Sequence, residues 1–419
     1  MKSRTNIGKN IDWWLVTIYL AMVLIGWISI YAAVYDEDHK SILDLSQNYG
    51  KQLVWIITSF VLAMMILLTD TKFFSAFAFP IYILMLFMLV AVLIFGKEIG
   101  GSRSWFPIGQ FSLQPSEFAK FATNLAVAKY LSSLNMDLKK LKSVLRSALI
   151  LVIPSLLIFL QNDTGSALVY SSFIFVLYRE GLPGEVLIII FVSIVLFILA
   201  LLVKPVWVIA GLVLLTVVLV YLSRRNIRNM AILVLILIIS SAYVEGVSYG
   251  FRHLLEPHQQ SRINVLLGKD TNLQGAGYNV HQSLIAIGSG GFTGKGFLNG
   301  TQTKFNFVPA QSTDFIFCTV GEEWGFIGSI AVISLFVALL IRLIILSERQ
   351  RSQFSRIYGY GVVSILFFHF MVNIAMTLGL FPVIGIPLPF LSYGGSSLWA
   401  FTILLFIFIK LDSYRLNVL

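Results

Sequence analysis

Asp314 stands at a seam in the sequence. It ends a glycine-rich polar stretch, in Pro309-Ala310-Gln311-Ser312-Thr313-Asp314, and the apolar run Phe315-Ile316-Phe317 follows at once. A carboxylate at such a boundary can do one of two things. It can accept the free N–H groups at the start of the next helix as an N-cap. Half-hidden from water, it can also serve as a general base, because partial burial makes a carboxylate hold a proton more readily. Position alone leaves the two open.

Other polar residues interrupt apolar runs. Glu117 and Lys120 lie three apart in Gln114-Pro115-Ser116-Glu117-Phe118-Ala119-Lys120, on one face of a helix that Pro115 suits as a first-turn residue. They read either as an ion pair that joins helices or as part of a cavity for a charged lipid head group, since ionisable groups inside a span are costly. Asp163 follows Gln161-Asn162 and precedes Thr164-Gly165, the setting of a cap or of a wet break between helices. Glu322 and Glu323 follow Gly321 and read as carboxylates at a helix N-terminus. His369 and Asn373, four apart, read as interhelical hydrogen-bonding groups. Gly288-Ser289-Gly290-Gly291-Phe292-Thr293-Gly294-Lys295-Gly296 approaches two nucleotide-binding signatures and fails both, which argues against a nucleotide. Lys295 among backbone N–H groups could still meet a diphosphate.

The elements that must position these residues are set by composition. Of 419 residues, 58% are hydrophobic and 12% charged, with 34 Phe, 16 Tyr and 8 Trp. A soluble domain has roughly twice that charge. The chain reads as an all-α polytopic membrane protein of about 10–12 transmembrane helices with one large extracytoplasmic loop. Twelve apolar runs are candidates, near 12–34, 52–69, 73–95, 116–132, 145–160, 164–178, 184–203, 206–222, 229–250, 315–346, 356–380 and 394–410. The pairs meeting at Asn162–Asp163 and at Lys204–Pro205 suit broken or tightly turned helices. A formal charge of +10 could suggest nucleic acid, but the cations are spread in short clusters between the runs, so none is expected as a partner. One cysteine, Cys318, excludes an internal disulfide, and the five histidines are too scattered for a metal cluster.

Counting Lys and Arg orients the spans. With the N-terminus inside, seventeen fall on the cytoplasmic side: Lys2/Arg4/Lys9, Lys72, Lys139/Lys140/Lys142/Arg146, Arg179, Arg224/Arg225/Arg228, Arg349/Arg351/Arg356 and Lys410/Arg415. About ten face the other way, five of them in the long stretch 251–314, where the rule is weak. Both termini are then cytoplasmic, and 251–314 is a large periplasmic loop. Its nine Gly and two Pro suit a folded cap on the outer membrane surface better than a flexible connector.

Five blocks carry a resemblance. They are Gly101-Ser102-Arg103-Ser104-Trp105 with Gln114-Pro115-Ser116-Glu117; Asn162-Asp163-Thr164-Gly165; Gly275-Ala276-Gly277-Tyr278 through Gly300-Thr301-Gln302; Thr313-Asp314-Phe315 through Gly321-Glu322-Glu323; and Gly385-Ile386-Pro387-Leu388-Pro389-Phe390-Leu391-Ser392-Tyr393-Gly394-Gly395-Ser396-Ser397. Together they resemble the SEDS family of bacterial membrane proteins (shape, elongation, division and sporulation). Residues 282–291 and 300–302 look like its elongation branch rather than its division branch.

The resemblance implies a single integral membrane domain over 1–419, in the bacterial cytoplasmic membrane. It implies a peptidoglycan glycosyltransferase that polymerises lipid II beside a class B penicillin-binding protein, with the essential acid at Asp314. Arg103, Glu117, Lys120, Asp163, Arg262, Lys295 and Gln302 are the expected substrate-binding set. Arg103, Lys120 and Lys295 are candidates to face the leaving diphosphate, with a divalent cation (Mg or Mn) as candidate cofactor. Membrane lipids are the surroundings, and no nucleotide is needed. The competing classes are a lipid II flippase, a division-type paralogue and a non-catalytic scaffold. Three departures stand out. Ala310 replaces the family's usual Glu, and Asn162 replaces a Pro. The region 184–250 holds three apolar runs where the family usually has one, so two extra helices are expected there.

Overall fold

In a computed structural model, residues 10–35, 42–109, 111–134, 136–222, 227–253, 255, 257–267, 269, 277–305 and 307–415 are described. Lys2, Arg4, Lys9, Arg224, Arg225, Gly275 and Ala276, named above, lie outside them. The chain divides into two compact units, Met1–Leu182 with Asn279–Leu419, and Pro183–Tyr278.

The first unit opens with α1 (Trp13–Ala33), α2 (Asn48–Leu68), α3 (Thr71–Ala76) and α4 (Ala78–Phe95). Strands β1 (Lys97–Ile99), β2 (Ser102–Ile108) and β3 (Phe111–Leu113) follow as an antiparallel sheet in that order. Then come α5 (Pro115–Leu131), α6 (Leu141–Phe159), α7 (Thr164–Val169), a 3-10 turn at Tyr170–Ser172 and α8 (Phe173–Arg179). The second unit holds α9 (Gly184–Leu202), α10 (Pro205–Leu222), α11 (Ile227–His253) and α12 (Pro257–Leu266). Near its border starts α13 (Tyr278–Ser289), and the first unit resumes with α14 (Thr301–Lys304), α15 (Ile316–Glu348), α16 (Gln353–Thr377) and α17 (Gly395–Ser413).

Among the described residues, ten helices are long and apolar enough to cross a membrane: α1, α2, α4, α6, α9, α10, α11, α15, α16 and α17. The two remaining candidate runs fold differently. Residues 116–132 form α5, whose seventeen residues carry Glu117, Lys120, Asn124 and Lys129 and are largely buried. Residues 164–178 form two short helices joined by the 3-10 turn. α5 is too polar, and 164–178 too broken, to count among these ten; the helices around α5 bury most of it, whereas Leu168, Phe175 and Tyr178 stay exposed. α5 is the hub: α4, α6, α16 and α17 all pack on it.

Local sequence explains the ends. Asp12 caps α1 by accepting from Leu15 N–H at 3.1 Å, and Pro115 takes the first-turn position of α5, where its missing N–H costs nothing. The small sheet was not foreseen. Gly100 and Gly101, at φ 62° and 82°, supply the two left-handed residues of a tight hairpin loop, which other residues adopt at a cost. Residues 251–314, expected as one loop, carry α12, α13 and α14, and the border between the units falls inside the stretch.

Candidate active site

Asp314 lies in a turn, not at a helix cap. α15 begins at Ile316, and Phe315 holds the cap position without a side-chain bond. The turn is fixed through its main chain. The carbonyl of Ser312 accepts from Tyr393 N–H at 2.8 Å, that of Thr313 from Ser392 Oγ at 2.6 Å, and that of Asp314 from Asn373 Nδ2 at 2.8 Å. Three successive carbonyls are thus held by three donors from α16 and the loop before α17. Asn373 gives a second bond to the Ile386 carbonyl at 2.7 Å, and Ser392 Oγ accepts from Leu388 N–H at 2.8 Å. The same loop passes close to the carboxylate. A Cβ built on Gly385, which sits at φ 71°, would stand 3.5 Å from Asp314 Oδ2. Asp314 itself is half-buried.

Ala310 enters this turn at φ 56°, a left-handed conformation unusual for alanine. Its carbonyl accepts from Thr313 N–H at 3.0 Å and Phe315 N–H at 3.2 Å, while its side chain is exposed. The position therefore acts through its backbone, which explains how a side chain as small as methyl is tolerated there.

Behind the turn lies a buried polar line. Glu117 and Lys120 pair at 2.8 Å, each 2% exposed. Lys120 Nζ also meets His369 Nε2 at 3.0 Å, and His369 Nδ1 meets the Pro387 carbonyl at 3.1 Å. A carbonyl can only accept, so Nδ1 carries the proton and Nε2 accepts from the ammonium. The Phe401 ring packs against both, with its centroid 4.9 Å from Lys120 Nζ. The second Glu117 oxygen is buried without a hydrogen-bond partner among the described residues. His369 and Asn373 are interhelical bonding groups, one turn apart on α16, and they link this pair to the Asp314 turn.

Asp163 caps α7 through Ser166 N–H at 3.0 Å. Its other oxygen accepts from Gln114 Nε2 at 3.0 Å and Ser116 Oγ at 3.2 Å, so it also ties α7 to the start of α5. Asn162 adopts φ 60°, a conformation asparagine tolerates better than most residues and proline cannot reach. Arg103, on β2, is exposed and makes no side-chain hydrogen bond or ion pair with the described residues. Its N–H donates to the Gln161 carbonyl at 3.0 Å, which places the strand beside the Asp163 turn.

The two glutamates after Gly321 do not begin a helix; they lie in the second turn of α15. The dipole argument holds for a different helix. Glu322, fully buried, accepts from the backbone N–H groups of Thr301, Gln302 and Thr303 at 2.8–2.9 Å, which are the free donors at the start of α14. Lys295 Nζ pairs with Glu322 at 2.7 Å and bonds Thr301 Oγ1 at 2.6 Å, so its charge is already partly spent within the chain. Gln302 is held by the same carboxylate through its N–H. The glycine loop then fills a break in α15 at Gly325 (φ 61°): Lys295 and Gly296 donate to the carbonyls of Glu322 and Glu323, and Phe326 and Ile327 donate to those of Gly291 and Phe292. Arg262 lies on α12, in the second unit.

Sequence reasoning missed Ser392 and Tyr393 as holders of the turn, and Gly385 as the point of close approach to the carboxylate. Their signal was present in the density of Gly, Ser and Pro over 385–397, but a backbone grip leaves no residue-type signature.

The arrangement joins a half-buried carboxylate on a rigid turn, a buried ion pair and an exposed arginine at one end of a bundle. Comparison with known proteins shows the family. The cell cycle protein family model FtsW/RodA/SpoVE matches residues 12–213 and 206–417. The chain is 33% identical to the peptidoglycan glycosyltransferase RodA of Treponema pallidum, over 93% of this chain and 95% of that protein. It is 31% identical to the peptidoglycan glycosyltransferase MrdB of Escherichia coli K12, over 93% and 90%. Among solved structures, a chain from a peptidoglycan synthase complex that coordinates polymerisation and crosslinking matches with TM-score 0.72 at 25% identity, over 97% of this chain and 98% of that one. The rod shape determining protein RodA of Thermus thermophilus matches with TM-score 0.64 at 25% identity, over 97% and 98%. With both ends of the chain matched and the helical frame shared, this protein belongs to the FtsW/RodA/SpoVE family.

Proposed function

We propose that this chain is a RodA-like peptidoglycan glycosyltransferase that polymerises lipid II during cell elongation, with Asp314 as general base. The observation that carries the reading is the grip on the carbonyls of residues 312–314. A base must be held within a fraction of an ångström of its task, and this carboxylate sits on a turn fixed by three donors from other elements. The elongation relatives, at 33% and 31% identity, stand ahead of the FtsW division protein of Coxiella burnetii, at 28%.

The reaction assigns the residues their roles. Asp314 takes the proton of the acceptor 4-hydroxyl as that oxygen bonds to the anomeric carbon of the growing chain. The bond from that carbon to the lipid diphosphate breaks, the electron pair leaves with the diphosphate, and the anomeric configuration inverts. Arg103 is the exposed cation for the diphosphate. Lys120 acts from inside the Glu117 pair, and Lys295 through the surface that Glu322 builds with Thr301 and Gln302. Asp163 keeps α7 on α5 beside them. Among the described residues, no three His, Cys, Asp or Glu side chains cluster. Asp314 is the side chain that would hold a divalent cation, Mg or Mn, at this site. When bound it supplies positive charge to the leaving group.

Orientation follows from α1. Asp12, before its first turn, pairs with Arg342, and Arg349 pairs with Asp412; Ala33, at its far end, accepts from Gln311 in the Asp314 turn. Since basic clusters favour the cytoplasm, both termini lie inside and Asp314 faces the periplasm. The solved peptidoglycan synthase complex supports a transpeptidase partner, here a class B penicillin-binding protein. The test is polymerisation of labelled lipid II by the purified protein with that partner. Glycan strands from the parent and none from Asp314→Asn are expected. Movement of lipid II across a bilayer with no polymer formed would favour a flippase instead.

A further inference from the structure

The second unit carries a cavity that the polymerase reading leaves unused. It lies where α9 turns into α10 against the end of α11, has a volume of about 360 Å³, and is lined by residues 200–205, Ser248, Phe251, Arg252 and Lys269. Three of these are cations, Lys204, Arg252 and Lys269, and no acidic side chain is among them. Each comes from a different part of the chain: the tight α9–α10 turn, the last turn of α11 and the segment after α12. All three are exposed. Lys269 is drawn to the cavity by a hydrogen bond from its ammonium to the Leu201 carbonyl. Ser248 is buried in the same wall, where its hydroxyl can donate.

Three like charges around one concavity repel one another, and each must be kept solvated. An anion with several acceptor oxygens removes both costs at once. The surroundings say where that anion comes from. Apart from Glu185, Ser193 and Thr216, α9 and α10 are apolar, α10 buries no residue at all, and Leu202, Val203 and Phe251 form the cavity's apolar wall. A free phosphate ion gains nothing from such walls. A phosphate esterified to lipid does, because its chains lie along the exposed leucines, isoleucines and valines of the adjoining helices while its head meets the cations at the end of the span.

We infer that this cavity is a binding site for the phosphate head group of an anionic membrane phospholipid, held by Lys204, Arg252 and Lys269 with Ser248. Such a lipid pins the α9–α10 turn to the segment after α12.

Native mass spectrometry of the full-length protein, released from detergent with phosphatidylglycerol or phosphatidylcholine added, tests this directly. The parent should retain phosphatidylglycerol at least about tenfold better than phosphatidylcholine. The triple variant Lys204→Gln, Arg252→Gln, Lys269→Gln should lose that preference. A second triple variant, Lys97→Gln, Lys139→Gln, Lys140→Gln, removes the same charge elsewhere and should keep it. Thermal unfolding without added lipid checks that both variants fold. Equal retention by the parent and the cavity variant would overturn the site, as would loss in both variants, which makes net charge the cause. Displacement of the lipid by millimolar inorganic phosphate would overturn the lipid assignment, leaving a site for the phosphate group as such.

Discussion

At the scale of single residues, Asp314 and the Glu117–Lys120 pair make opposite predictions about stability. Asparagine keeps the shape of the side chain, so Asp314→Asn should change the melting temperature of the purified protein little while polymerisation falls by about 10²-fold or more, the scale of general-base catalysis. Asp314→Glu moves the carboxylate by a methylene on a turn that cannot follow, and should be strongly impaired too. An Asn variant that polymerises lipid II at the parent's rate would remove Asp314 from the chemistry. Lys120→Met should instead destabilise, by about 3–5 kcal/mol, because Glu117 is then a buried charge without its cation. Glu117→Gln combined with Lys120→Met should recover much of that loss in thermal unfolding, yet remain slow in polymerisation if the pair serves the substrate. Recovery of both stability and rate would make the pair a packing device. These residues were legible because an ionisable group inside an apolar run stands out. Their partners were not: nothing in the sequence aligns Lys120 with His369, nearly 250 positions away, until two helices cross.

At the scale of elements, the Asp314 turn depends on α16. Asn373→Ala removes both bonds of a fully buried amide and leaves two carbonyls unpaired, which should cost about 1–3 kcal/mol and lower the rate at unchanged partner binding. Thermal unfolding and turnover measured on one preparation check this; a rate equal to the parent's would show that the turn holds without α16. Ala310→Gly should do the reverse. Glycine occupies φ 56° without strain, so the variant should keep its activity and match or exceed the parent's stability by up to about 1–2 kcal/mol. Most long helices could be read from apolar runs. α7 and α8 could not, because a break between short helices leaves the same hydropathy as one span. The sheet of 97–113 was hidden because its strands are only three to seven residues long and hang on two glycines. Glu322 was misplaced by one helix: the rule that carboxylates favour N-termini was sound, but the N-terminus it serves comes earlier in the chain, while Glu323 accepts from Leu298 N–H in the loop before it.

At the scale of the whole molecule, orientation can be measured. Cysteine introduced at Lys304 should label from the periplasmic side only, and cysteine at Lys139 from the cytoplasm only, against the low background of the buried Cys318. Labelling of both from one side would invert the topology. The end opposite the site carries an acid-sensitive clasp. Burial alone would raise the Asp12 carboxyl, but the bond from Arg342, the Leu15 N–H and the charges of Arg342 and Arg349 together hold it below its ordinary 3.8. Its contribution is therefore full above that value and is lost as the pH falls through the lowered folded one. Asp12→Asn should lower the melting temperature at neutral pH, and the gap from the parent should close in acid. A gap that stays constant would mean that the clasp is not ionic. One last property follows from the three held carbonyls. Because the neighbouring elements grasp the chain mainly by its peptide groups, the carboxylate can stay where it is when the letters at 312 and 313 change, at the cost of the Asn48 bond to Ser312 Oγ and the Thr313 Oγ1 bond to the Ala310 carbonyl. A library randomised at 310, 312 and 313 should therefore yield many growing cells and few alleles that read alike.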